Sequence, residues 1–183
     1  MKILLLLICI TLVTCSAYSL SLYDISNDIT KDCSTVEQKV VALREAVYNR
    51  MKPNGNGYSL KDVKNHSLEW AWEHGVGWCD HQASVFMLLA REQGIRTRLI
   101  YLLTENMGKS EHTIAEALID NRWVVVDVGN NIEYRYYNRL ATRNDMAIDF
   151  DGIVWEKVKD LGQPKEYWKM FIYKSYLIRE MNP

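Results

Sequence analysis

The chain has 183 residues and a mass of 21.4 kDa, is 48% hydrophobic, and sets 22 basic against 23 acidic side chains. That length fits one domain with a single sizeable core and leaves no room for a second, and only nine glycines and three prolines exclude collagen-like and low-complexity chains. A formal net charge of −1 gives no footprint for a phosphate backbone, so nucleic acid is not the expected partner.

In chain order, residues 1–17 read as an export signal. Met1-Lys2 supplies a positive start, Ile3 to Val13 is an uncharged apolar run, and Cys15-Ser16-Ala17 puts small residues at a cleavage site. The run falls short of the roughly 20 residues that span a bilayer. Leu12-Val13-Thr14-Cys15 also resembles the lipobox of bacterial lipoproteins, in which the cysteine is lipidated, although Thr14 stands where that pattern prefers Gly, Ala or Ser. The expectation is an exported protein, periplasmic or secreted if bacterial, attached to a membrane only through a lipidated Cys15.

Residues 18–33 are polar and are expected to form a poorly ordered lead-in to a single domain over 34–183. Ser34-Thr35-Val36-Glu37 has a capping-box pattern with Ser34 as the cap. Val36, Val40, Leu43, Val47 and Met51 then recur at helical spacing and predict a helix over 35–51. Lys52 to Gly57 holds Pro and Gly-Asn repeats, which favour a loop. His66 to His74 predicts a short helix ended by Gly75, its Trp70 and Trp72 read as packing residues. Cys79 to Gln93 predicts a strong helix with Ala83, Phe86, Met87 and Ala90 on one face and Gly94 as its stop. Arg98–Leu103, His112–Asp120 and Trp123–Val128 are β-rich, with Asn121-Arg122 as a hairpin turn. The tail from Pro164 to Met181 reads as an aromatic surface helix packed on the body. The fold class is α+β: helices first, then antiparallel strands.

Outside the signal region only Cys33 and Cys79 remain, 46 residues apart. A bridge between them would contribute about 4 kcal/mol on the chain-entropy model, but it would silence Cys79, so the two readings exclude each other. No CxxC, HExxH or clustered Cys/His spacing is present, and no metal or cofactor is expected.

The chemistry concentrates on Cys79. A thiol in the first turn of a helix sits at the positive end of the macrodipole, which stabilises its thiolate, and first-turn amides point where an oxyanion would form. His112 opens one strand and Asp127 closes the next, so a hairpin can present a base and the carboxylate that orients it. A turn at Asn121-Arg122 sets Asp127 opposite Glu116, four positions from His112, a gap that a bulge, twist or looser turn must close. His81 reads as a supporting or structural residue, Glu111 as exposed charge or a modulator of the base, and the loop Glu105 to Glu111 as one wall of a cleft.

Gly77-Trp78-Cys79-Asp80-His81-Gln82-Ala83, Gly94-Ile95-Arg96-Thr97-Arg98, His112-Thr113-Ile114-Ala115-Glu116 and Trp123-Val124-Val125-Val126-Asp127 resemble, in order, the core blocks of the transglutaminase-like superfamily. The resemblance implies a papain-like fold whose nucleophile helix packs on an antiparallel sheet, with Cys79 as nucleophile, His112 as base and Asp127 as orienter. The family's second oxyanion donor does not carry over; Gln38, Trp70 and Trp72 are candidates without a matching motif. The function so implied is an exported thiol enzyme that forms an acyl-thioester from an amide of a protein, a peptide or the cell envelope, then hydrolyses or transamidates it. The competing class is a non-catalytic or redox-controlled binding module that retains the fold.

Overall fold

The computed structural model describes residues 21–103, 110–156 and 176–181. The expected export signal, most of the expected cleft loop and residues 157–175 lie outside that range.

The polar lead-in is a helix. In α1 (Leu22–Thr30), Ser21 caps the start by accepting from the Asp24 amide at 3.2 Å, and Ser26 and Thr30 are buried. Ser26 Oγ donates to the Leu89 carbonyl at 2.7 Å, and Leu22, Ile25 and Ile29 pack against the main core. The segment's apolar residues are spaced to form one stripe, and its serines and threonines satisfy backbone groups instead of disrupting them. In α2 (Val36–Arg50) the cap is Thr35, not Ser34, and the residue that reaches back is Gln38, not Glu37. Gln38 Oε1 accepts from the amides of both Ser34 and Thr35, at 2.8 and 3.2 Å, so the reciprocal box forms one residue later than the sequence pattern places it.

A 3-10 turn (Gly55–Gly57) and the short α3 (Leu60–Lys64) follow, then α4 (Leu68–His74), closed by Gly75 in the left-handed region. Next comes α5 (Cys79–Glu92), on which Ala83, Phe86, Met87 and Ala90 are all buried. After it come β1 (Thr97–Leu103), β2 (Ser110–Ile119), β3 (Arg122–Val126), β4 (Glu133–Tyr136), β5 (Arg139–Leu140), α6 (Arg143–Ile148), β6 (Ile153–Glu156) and β7 (Tyr176–Met181).

The main sheet has the order β3-β2-β1-β7 and a second sheet the order β5-β4-β6, with antiparallel pairing throughout. The tail therefore ends in a strand where the sequence pattern predicts a helix. Tyr176–Met181 pairs along the whole of Thr97–Leu102, because the second edge of β1 offers a row of backbone donors and acceptors that must be satisfied.

Side chains alternate across the main sheet. Leu99, Ala115, Ala117, Val124 and Val126 face α5, with Leu43, Val47, Phe86 and Leu89 in the same core. Ile100, Leu102, Ile114 and Val125 face a second core with Tyr134, Met146 and Phe150. Burial on both faces explains why β1 and β3 read as continuous apolar runs. The architecture is the expected α+β one, with α2 and α5 packed on one face of an antiparallel sheet and the short α6 on the other.

Candidate active site

Three constraints fix Cys79 at the mouth of the helix. The chain entering α5 is tied to the end of α2, where Lys52 N–H donates to the Gly75 carbonyl and Gly77 N–H donates to the Lys52 carbonyl, both at 3.0 Å. From inside the helix, Gln82 Nε2 donates to the Met51 carbonyl at 2.9 Å. Gly77 lies so close to this junction that a Cβ there would stand 2.7 Å from Met51 Cε and 2.8 Å from His81 Cβ, so the approach admits only glycine. Trp78 is the N-cap residue and its side chain caps nothing. Trp78 is 41% exposed, although it is large and apolar and immediately precedes Cys79 in the chain.

The hairpin delivers His112 and Asp127 through a turn one residue earlier than expected. Asp120 and Asn121 hold the centre with φ of 47° and 61°, the two positive values a type I′ turn needs, which Asp and Asn tolerate and Arg does not. Ile119 then pairs with Arg122 and Ala115 with Val126. One step further along that register Asp127 falls beside Ile114, so two positions separate it from His112 rather than four. A bulge between the β1 pairs Leu102↔His112 and Leu103↔Ser110 re-aims the start of β2 beside the site.

His112 Nε2 lies 3.0 Å from Asp127 Oδ1, with both side chains nearly buried. The other ring nitrogen is left for the sulfur, and Cys79 and His112 are hydrogen-bonded. Burial pushes the Cys79 thiol up, but the hydrogen bond and positive charge of His112, with the Thr113 backbone N–H, outweigh it and leave the thiol below its ordinary value. Burial likewise disfavours an imidazolium, yet the Asp127 charge and hydrogen bond, joined by Cys79, raise His112 to about 10. Asp127 is fully buried, which alone would raise it; His112 and Asn130 hold it below the usual carboxylate range. At neutral pH this geometry favours a thiolate–imidazolium pair.

Several residues around the cluster escape sequence reasoning. After β3 the chain doubles back so that Ile132 N–H donates to the Asp127 carbonyl at 3.1 Å. That turn aims Asn130 at the carboxylate, with its backbone N–H 3.2 Å from Oδ1 and its Nδ2 3.2 Å from Oδ2. Asn130 Nδ2 is also 3.0 Å from His112 Nε2. Tyr134 donates its hydroxyl to Asp127 Oδ2 at 3.2 Å, and its own pKa is raised by burial and by the Asp127 charge, so it stays a donor. Gly129 closes over the cluster; a Cβ there would sit 3.1 Å from Cys79 Cβ and 3.3 Å from both Gln82 Oε1 and His112 Cε1. Behind this layer Arg44 and Glu133 form a buried ion pair at 3.0 Å.

The remaining sequence candidates lie elsewhere. Gln38 is held in the cap of α2, at the end opposite Met51, about 20 Å from the sulfur by helix length. Trp70 is stacked between His66 and His74, with ring centroids 4.0 and 4.1 Å away, and Trp72 is buried beneath the Arg50 guanidinium. His81 pairs through Nδ1 with its chain neighbour Asp80 at 2.8 Å. Cys33 and Cys79 are both free thiols. They flank opposite ends of the 15-residue α2, and that span of about 22 Å forbids a bridge.

A thiol at a helix N-terminus, hydrogen-bonded to a histidine that a buried carboxylate orients, on helices packed against an antiparallel sheet, defines the thiol-enzyme fold of the papain-like class. The model of the transglutaminase-like superfamily matches residues 23–128, and the chain belongs to that superfamily. That span takes in α1, in agreement with its place in the core. No curated protein matches the chain. Among solved structures, it is 13% identical to a candidate protease from Parabacteroides distasonis, with a TM-score of 0.45, over 57% of this chain and 22% of that one. It is 18% identical to a candidate cysteine protease from Cytophaga hutchinsonii, with a TM-score of 0.41, over 88% of this chain and 48% of that one. The chain thus spans less than half the length of either.

Proposed function

We propose that the protein is an exported thiol enzyme that opens an amide through an acyl-thioester on Cys79 and passes the acyl group to water or to an amine. The observation that carries this reading is the buried Asp127–His112 contact at 3.0 Å with Cys79 hydrogen-bonded to the same histidine. In the first half-reaction the Cys79 sulfur attacks the amide carbonyl, the C–N bond breaks, and the amine departs with a proton from His112. In the second, water or an amine attacks the thioester, gives its proton to His112, and the C–S bond breaks. The Cys79 backbone N–H, in a first turn without a side-chain cap, supplies one oxyanion donor. The exposed Trp78, next to Cys79 in the chain, offers the acyl group an apolar surface.

Substrates of this chemistry are amides of proteins, peptides or the cell envelope. The free state of Cys33 and Cys79 supports an active thiol over a binding module silenced by a disulfide. Export rests on the apolar segment Ile3 to Val13 with its small-residue cleavage site, and membrane attachment through Cys15 on the partial lipobox. Among the described residues no helix is long and apolar enough to cross a membrane.

The test is intact-mass spectrometry with iodoacetamide at pH 6, where a thiol of ordinary pKa, about 8.5, barely reacts. One fast adduct mapping to Cys79, absent in Cys79→Ala, is expected. An adduct that forms no faster than on free cysteine would refute the thiolate reading. Incubating an acyl-Cys79 adduct with and without a primary amine then separates hydrolysis from transamidation by product mass.

A further inference from the structure

The face of the main sheet that carries Ile114 and Val125 holds a cavity of about 410 Å3 at the end away from His112. Glu116 in its wall lies four residues along β2 from His112, about 13 Å, and Arg122 lies five residues along β3 from Asp127, about 17 Å. Ile114 and Val125, both buried in the second core, stand between the cavity and the Cys79 cluster. It is a separate place in the molecule.

Its lining is strongly cationic, with four arginines, Arg98, Arg122, Arg139 and Arg143, against two carboxylates, Glu116 and Asp145. Most of that charge is arranged and held in place. Glu116 is buried and bridges Arg98 Nε at 2.5 Å and Arg143 Nε at 2.6 Å. The Arg98 guanidinium also lies 4.2 Å from the Trp123 ring centre. Asp145 takes both terminal nitrogens of Arg139, at 2.7 and 2.8 Å. Arg122 differs: its Nη1 is buried and has no hydrogen-bond partner among the described residues. That nitrogen is closed off from the cavity, but Arg122 is only half-buried and lines it, no other residue among those described holds its guanidinium, and the remaining N–H groups of the planar fork match a carboxylate or phosphate. The neighbouring ion pairs pre-order the walls, so a ligand binding there has little side-chain entropy to lose.

We propose that this cavity is a second binding site, for the oxyanion of a carboxylate or phosphate ligand, with Arg122 as its anchoring residue and Trp123 as its side wall. The site is independent of Cys79, and a ligand there occupies the molecule without entering the reaction.

The experiment is a 15N NMR titration of the purified protein at constant ionic strength, with inorganic phosphate in one arm and succinate in the other, against a chloride control. Saturable shifts of the Arg122 Nε–H and Trp123 indole N–H signals are expected in at least one arm, and the arm that saturates at the lower concentration identifies which oxyanion the site prefers. Arg122→Gln should weaken that binding at least tenfold and Arg122→Lys less. Asn144→Glu, which places a carboxylate on the exposed rim, should weaken it as well and serves if Arg122→Gln does not fold. Cys79→Ala should bind like the parent, so the outcome does not depend on the proposed catalysis. Shifts that follow the chloride control in both arms, or an undiminished affinity in Arg122→Gln or Asn144→Glu, would overturn the proposal.

Discussion

At the scale of single residues, the site rests on a carboxylate with more partners than a simple triad requires. Asp127 accepts from His112, from two nitrogens of Asn130 and from Tyr134, so its removal and its loosening are different experiments. Asp127→Asn keeps the shape but takes away the charge that holds His112 near 10; turnover is expected to fall about 10²- to 10⁴-fold, with circular dichroism unchanged. Asn130→Ala removes a partner of Asp127 and leaves Cys79, His112 and Asp127 in place. Its expected mark is a pH profile of Cys79 alkylation displaced upward, with alkylation at pH 6 about tenfold slower and KM for an amide substrate unaltered. Cys79, His112 and Asp127 were legible in the sequence because each is a chemically distinctive residue at or near the end of a readable element. Asn130, Tyr134 and Gly129 were not, since they reach the site through the turn between Asp127 and Ile132, whose closure depends on a backbone bond and on Asn131 at φ 54°. No residue-type pattern announces such a contact.

At the scale of elements, helices with a clear apolar period were readable, and the departures arose where two local solutions competed. Both Ser34 and Thr35 precede the periodic run of α2, and the choice fell to the residue whose partner three positions on is Gln38. Likewise the hairpin closes on Asp120-Asn121, since Arg122 would have to enter the left-handed region. The largest misreading concerns α1, whose polar composition hides two buried hydroxyls. Ser26→Ala breaks the 2.7 Å bond to the Leu89 carbonyl inside the helical core, and a loss of about 1–2 kcal/mol in urea unfolding is expected; a neutral result would mean that α1 is only loosely docked. The tail went unread as a strand because its pairing partner, β1, lies more than seventy residues upstream, and the pattern within a segment carries no record of the edge that awaits it.

At the scale of the whole molecule, the charged cluster ties stability to pH with a definite sign. His112 is raised from 6.5 to about 10 in the folded chain, so its contribution is complete below 6.5 and is lost as pH climbs toward 10; Asp127, held low, contributes above 3.8 and loses that contribution as pH falls through its depressed value. Urea midpoints are therefore expected to decline from pH 6.5 to pH 10, and to decline less in Asp127→Asn. Identical slopes in the two proteins would place the ion pair outside the stability balance. The order β3-β2-β1-β7 bears on a different matter, the birth of the chain on the ribosome. β1 is made long before Tyr176–Met181, and translation at about 5–20 residues per second leaves its outer edge bare for roughly 4–16 s. Throughout that interval the nascent protein carries an open template for foreign strands, and the arrival of Tyr176–Met181 retires it.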